Sequence, residues 1–249
     1  MGGMRRNIRL AIQYEGTDYC GWQRQKNAGS VQETIEKALS SILRHDVKLI
    51  GSGRTDSGVH ASFQVANFIT TRDIPLRKLK LALNSLLPDD ICISGIAKTS
   101  ISFNARKDCK SKAYEYLIYN TRRKLTPFMR RYCIRVFHDL DVSQMRKAAS
   151  KLKGTHDFAS FMGSRSGAKS SVRTIKKISV VKKGRYIKIR VEANGFLYNM
   201  VRAIAGTLIE IGRHRLKADD IGRILKARDR KEAGPNAEAK GLKLVNVKY

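Results

Sequence analysis

Gly51-Ser52-Gly53-Arg54-Thr55-Asp56-Ser57-Gly58-Val59-His60-Ala61 sets glycines and an acid between two stretches of strand character, Val47 to Ser52 and Ala61 to Ile69. Apolar runs joined by a glycine-punctuated turn read as neighbouring strands, and this pair fixes the reading on either side. Upstream, Asn7 to Tyr14 alternates, with Ile8, Leu10, Ile12 and Tyr14 on one side, the pattern of a half-buried strand. Ser30-Val31-Gln32-Glu33 is a capping box, and Val31, Ile35, Ala38, Leu39, Ile42 and Leu43 form one helical stripe behind it. Downstream, Leu76 to Leu87 reads as a basic amphipathic helix stopped by Pro88, and Ile91 to Ala97 as another strand.

The second half loosely repeats this plan. Tyr114 to Tyr119 is a strand; Asp141 caps a helix carrying Val142, Met145, Ala149 and Leu152, and Gly154 ends it. Ile175 to Val181 and Tyr186 to Ala193 form a hairpin around Lys183-Gly184. Phe196 to Ile211 is apolar enough for a buried helix, Asp219 to Ala227 is a shorter one, and Leu242 to Val247 a last strand. Strands and helices do not alternate strictly, so the expected class is α+β, two similar lobes of mainly antiparallel sheet flanked by helices. The halves divide near Asn104, into 1–104 and 105–249.

Charge narrows the function. The 249 residues carry 50 Lys and Arg against 21 Asp and Glu, a net +29. Such an excess is tolerated where a polyanion neutralises it, which points to nucleic acid first. An anionic membrane, the second candidate, is dropped for want of a basic amphipathic helix with aromatic anchors, so no membrane partner is expected. Two stretches concentrate the charge: Ser102 to Arg135 holds ten Lys and Arg, and Gly163 to Arg190 holds ten with no acid. No apolar run approaches the ~20 residues of a spanning helix, and the alternation from Ile8 onward is unlike a signal peptide. Cys20, Cys92, Cys109 and Cys133 are far apart with no CxxC pair, so neither a zinc site nor a disulfide framework is expected and a cytoplasmic location is the default.

Most catalytic signatures are missing: no phosphate-binding lysine loop, no HExxH, and five scattered histidines. Two positions stand out. Asp56 either caps its own turn or, beside Arg54 on a glycine loop, faces a docked polyanion. Arg202 is the sole charge between Phe196 and Ile209; it either snorkels to water or meets a carboxylate, because an unpaired buried charge costs several kcal/mol (~3–5 when a pair is broken).

Several motifs run in order along the chain: Tyr19-Cys20-Gly21-Trp22-Gln23-Arg24-Gln25; Gly53-Arg54-Thr55-Asp56-Ser57-Gly58-Val59-His60-Ala61; Phe103-Asn104-Ala105-Arg106; Lys112-Ala113-Tyr114-Glu115-Tyr116; Phe196-Leu197-Tyr198-Asn199-Met200-Val201-Arg202; and Gly241-Leu242-Lys243-Leu244-Val245-Asn246. In these the chain resembles the tRNA pseudouridine synthase A family. Ser57 stands where alanine is frequent and Glu238 where proline is frequent; neither is a catalytic position. The resemblance implies a cleft between the two lobes and an isomerase that turns uridine into pseudouridine at positions thirty-eight to forty of the tRNA anticodon stem-loop. It further implies a homodimer that needs no cofactor and no metal.

Residue by residue, the resemblance makes Asp56 the catalytic aspartate, in the 1–104 lobe. It makes Tyr114 the active-site tyrosine and Arg202 the arginine that pairs with Asp56, both in the 105–249 lobe. Arg54 becomes the basic neighbour that helps extrude the base. Arg24, Arg106, Arg165, Lys169 and Arg173 are expected along the RNA backbone. The competing expectation is a non-catalytic basic RNA-binding protein of the same fold, which would have no use for a paired aspartate and arginine.

Overall fold

The computed structural model describes residues 4–25, 28–164 and 167–249. The chain divides into two compact units. One runs to Lys110 and takes back Leu244–Tyr249; the other is Ser111–Lys243.

The first unit contains β1 (Arg6–Tyr14), α1 (Val31–Leu43), β2 (Ile50–Gly51), β3 (His60–Thr70), α2 (Leu76–Leu86) and β4 (Ile91–Thr99). It is completed by β10 (Leu242–Lys248), which belongs to it from Leu244 onward. The strand order is β4-β1-β3-β10, with the short β2 also on β3. β1 lies antiparallel to both neighbours, Ile8 opposite Phe68 and Lys98, Leu10 opposite Ala66 and Ile96. The alternation read from the sequence is realised in burial: Ile8, Leu10, Ile12 and Tyr14 are all buried. α1 packs on α2, and α2 on β4. The Ser30 hydroxyl caps α1 by accepting from Glu33 N at 3.3 Å, and the Glu33 carboxylate pairs with Lys37 at 3.0 Å.

The strand expected over Val47 to Ser52 shrinks to β2. Side chains of α1 capture its backbone donors: Val47 N donates to Ser40 Oγ at 3.0 Å, and Leu49 N to the buried Glu36 carboxylate at 2.8 Å.

The second unit contains β5 (Ser111–Asn120), β6 (Ile134–Val136), α3 (Val142–Lys151), β7 (Gly154–Asp157), β8 (Val172–Lys183), β9 (Tyr186–Ala193), α4 (Met200–Gly212) and α5 (Asp220–Ala227). Its strands order β5-β9-β8-β7, each pair antiparallel, and β6 adds to β5 in parallel. α3 packs on α4, α5 and β8. The expected capping by Asp141 forms, its carboxylate accepting from Gln144 N at 3.1 Å. Phe196 to Asn199 stays outside the long apolar helix. Asn199 sits in the left-handed region at φ 60° and starts α4 at Met200. β6 and β7 are too short to have shown a period.

The division between units falls after Lys110, later than Asn104, and the last residues return to the first unit. The reason is local bonding: the Tyr249 ring meets Phe103 edge-on at 4.9 Å, its hydroxyl donates to Ala105 O at 2.9 Å, and Lys110 N donates to Lys248 O at 2.8 Å. Among the described residues no helix is long and apolar enough to cross a membrane.

Candidate active site

In the first unit the loop between β2 and β3 carries Arg54 and Asp56. Arg54 is exposed, and its Nε donates to Gln23 Oε1 at 3.0 Å. Asp56 is half-buried, and its carbonyl accepts from Val59 N at 3.2 Å. The loop lies against the segment that follows β1. Trp22 N donates to Thr55 O at 3.1 Å, and Gly58 N to Tyr19 O at 3.3 Å. The approach is close enough to require glycine at position 21, whose φ is +89° and whose added Cβ would stand 2.5 Å from Thr55 O. Sequence reasoning read Tyr19 to Gln25 only as a motif. The signal for its structural role is the grouping of Tyr14, Tyr19 and Trp22 around Gly16 and Gly21.

In the second unit Tyr114 lies on β5 opposite Val191, buried, with the Phe196 ring edge-on at 5.1 Å. Arg202 is half-buried on the first turns of α4. Its Nε donates to Ala237 O at 2.7 Å and its Nη1 to Asn199 Oδ1 at 3.0 Å, while Ala237 N donates back to Arg202 O at 3.1 Å. These bonds hold the guanidinium in a fixed direction. Residues 234–241 are laid tightly along α4 and β5. A Cβ at Gly206 would stand 1.7 Å from Pro235 O, and the Tyr116 hydroxyl donates to Glu238 O at 2.8 Å. Burial pushes the Tyr116 hydroxyl far above its ordinary pKa, so it stays a donor.

Of the residues expected on the RNA backbone, Arg24, Arg106 and Lys169 are exposed, and Arg165 lies outside the described residues. Arg24 reaches the buried Glu36 only at 3.9 Å. Arg173 is half-buried. Its Nη1 donates to Ser170 O at 2.9 Å and Val172 O at 2.6 Å, and burial draws its pKa below the usual guanidinium range. Part of its donor capacity therefore goes to its own loop. No cluster of three or more His, Cys, Asp or Glu fit to hold a metal ion occurs among the described residues.

Comparison with known proteins gives the arrangement its context. The family model for tRNA pseudouridine synthase matches residues 10–106 and 148–249, which include the Asp56 loop and α4; Tyr114 falls in the interval between. A protein of Thermoanaerobacter sp. (strain X514), "tRNA pseudouridine synthase A", is 47% identical over 98% of this chain and 100% of its own length. Its namesake from Acetivibrio thermocellus is 48% identical over 98% and 100%. "tRNA pseudouridine synthase A 2" from Clostridium tetani is 46% identical over 99% and 100%. With close to half of all positions shared along entire chains, and both units matched, the chain belongs to the tRNA pseudouridine synthase A family.

Proposed function

We propose that this enzyme, an isomerase that converts uridine in tRNA to pseudouridine, acts on positions thirty-eight to forty of the anticodon stem-loop, as a cytoplasmic homodimer, with Asp56 as its catalytic group. The reaction breaks the bond from ribose C1′ to uracil N1, turns the base, and joins C1′ to C5. The proton on C5 is lost and N1 gains one. The base must leave the stack first, at a cost of a few kcal/mol (~2–4). Arg54, exposed on the same loop as Asp56, is assigned to enter the vacated space and meet phosphate. Asp56 acts as an ionised carboxylate, either attacking C1′ or removing a ribose proton.

Arg202 is assigned as the cation that keeps that carboxylate ionised, and Tyr114 as the ring against the base. Support for Arg202 comes from its bonding: Ala237 O and Asn199 Oδ1 hold its guanidinium by Nε and Nη1. Arg24, Arg106, Arg165, Lys169 and Arg173 are assigned to the backbone of the bound RNA, although the Nη1 donors of Arg173 already bond Ser170 O and Val172 O.

The observation that carries the catalytic assignment is the Asp56 loop, where a half-exposed carboxylate stands on a glycine-flanked turn whose backbone is bonded to the segment after β1. The test is Asp56→Asn and Asp56→Ala, with release of tritium from tRNA labelled at uracil C5 and chemical mapping of the product. Turnover is expected to vanish while tRNA affinity holds or rises slightly, since a carboxylate repels RNA. Turnover comparable to wild type in either variant overturns the assignment, and product at other positions overturns the proposed target.

A further inference from the structure

We propose that Tyr14 is a positioning residue for Asp56, acting through a buried polar network of Tyr14, Thr55 and Gln64 beneath the catalytic loop. This rests on the catalytic reading of Asp56. Tyr14 ends β1 and is 4% exposed; Thr55 is 7% and Gln64 0% exposed. The Tyr14 and Thr55 hydroxyls lie 2.8 Å apart. Burial drives the Tyr14 phenol far above its ordinary pKa, so it remains a neutral hydroxyl at any working pH. Gln64 extends the network along the loop: its Oε1 accepts from Ser52 Oγ at 2.6 Å, and its Nε2 donates to Gly53 O at 3.0 Å. Every residue from Ser52 to Thr55 except Arg54 is therefore tied to one strand pair.

The other side of Asp56 is tied as well. Ser57 Oγ and Gly58 N both donate to Tyr19 O, at 3.2 and 3.3 Å, and Gly16 N donates to Nδ1 of the buried His60 at 3.0 Å. Tyr19 is itself anchored, its hydroxyl donating to Asp90 at 2.7 Å. A loop with three glycines would otherwise sample many conformations. Satisfied buried networks rigidify the backbone they hold, and Thr55 is the network member adjacent to the carboxylate. Tyr14 touches neither substrate nor reacting atoms; its hydroxyl fixes where Thr55, and so Asp56, stands.

The experiment compares Tyr14→Phe, Thr55→Val and Thr55→Ser in the full-length protein, by single-turnover tritium release, tRNA affinity and thermal melting. A displacement of about 1 Å costs on the order of 100-fold in rate. Tyr14→Phe and Thr55→Val are expected to slow the chemical step by roughly 10- to 100-fold with tRNA affinity within about twofold. Thr55→Ser should run near wild type, and the double variant should be no slower than either single one, because both break the same bond. Full rate in Tyr14→Phe or Thr55→Val, or a loss that tracks only the unfolded fraction at the assay temperature, overturns the proposal. Should Tyr14→Phe fail to fold, the near-isosteric Thr55→Val against Thr55→Ser decides alone. Asp56→Asn is run alongside. If it is active, the catalytic reading fails; if it is inert while the network variants are unimpaired, only this inference fails.

Discussion

Replacing Gly21 by alanine tests how tightly the catalytic loop is held, and the expected effect can be worked from the geometry. At φ +89° an L side chain carries a backbone cost of roughly 1–2 kcal/mol. The new Cβ would also lie 2.5 Å from Thr55 O and 3.1 Å from the carbonyl carbon of Asp56, where ordinary contact begins at 3.4 Å. Relief requires the loop to retreat by about 1 Å, and forcing a methyl into a packed region costs ~1–3 kcal/mol. Together the two effects should destabilise the first unit by about 2–5 kcal/mol. A retreat of about 1 Å at the carboxylate should also slow single-turnover pseudouridine formation roughly 100-fold. Stability is read from urea unfolding, and rate from tritium release under conditions where the variant is folded. Gly222→Ala is the control. It lies exposed on α5 with nothing within 4 Å of a new Cβ and should gain up to about 1 kcal/mol with no change in rate. A Gly21→Ala protein with wild-type midpoint and wild-type rate would falsify the account of the loop as sterically held.

Further outcomes follow from single bonds. Glu36→Leu removes the acceptor of Leu49 N and Gln32 Nε2, both at 2.8 Å and both buried, and should cost ~1–3 kcal/mol for each donor left unpaired; an unchanged urea midpoint contradicts it. Asp219, beside Lys147 and Lys151, has its carboxyl held down to about 2 by those two ammonium groups, from an ordinary 3.8. A carboxyl depressed on folding stabilises above its unfolded pKa and loses that contribution as pH falls through the folded one. Melting temperature should therefore drop between about pH 4 and pH 2, and less steeply in Asp219→Asn; superimposable acid limbs would refute this.

Much of the fold is legible in local pattern. β1 alternates, Ser30 and Asp141 cap their helices, and the β8–β9 hairpin turns at Lys183 to Tyr186, where the sequence places it. What escapes the sequence is set at long range. The strand expected at Val47 to Ser52 is lost to the Glu36 and Ser40 side chains, and the unit boundary shifts because Tyr249 lies on Phe103. Asn199 interrupts an apolar run whose periodicity gives no sign of a left-handed residue. The same holds at the site. Glycines and an acid on one loop mark Asp56, whereas Tyr14 and Gln64, which hold that loop, are neutral residues whose roles exist only once β1 and β3 pair. Arg202 is visible as an isolated charge, but its bond to Ala237 O is not, since a backbone carbonyl at an alanine 35 positions away carries no sequence signal.

The placement of β10 bears on how the protein is made. Synthesis proceeds from the N-terminus at ~5–20 residues per second, and domains generally fold as they emerge. Here the residues that complete the first unit, Leu244–Tyr249, are translated only after all of Ser111–Lys243. Until then the side of β3 near Ser62, which later meets Leu244, has its strand edge open, the kind of edge that recruits other chains. For the many seconds between synthesis of β4 and of β10, the nascent chain carries a lobe that holds Asp56 but lacks its final strand. Chaperone occupancy on ribosomes translating this message should concentrate in that interval.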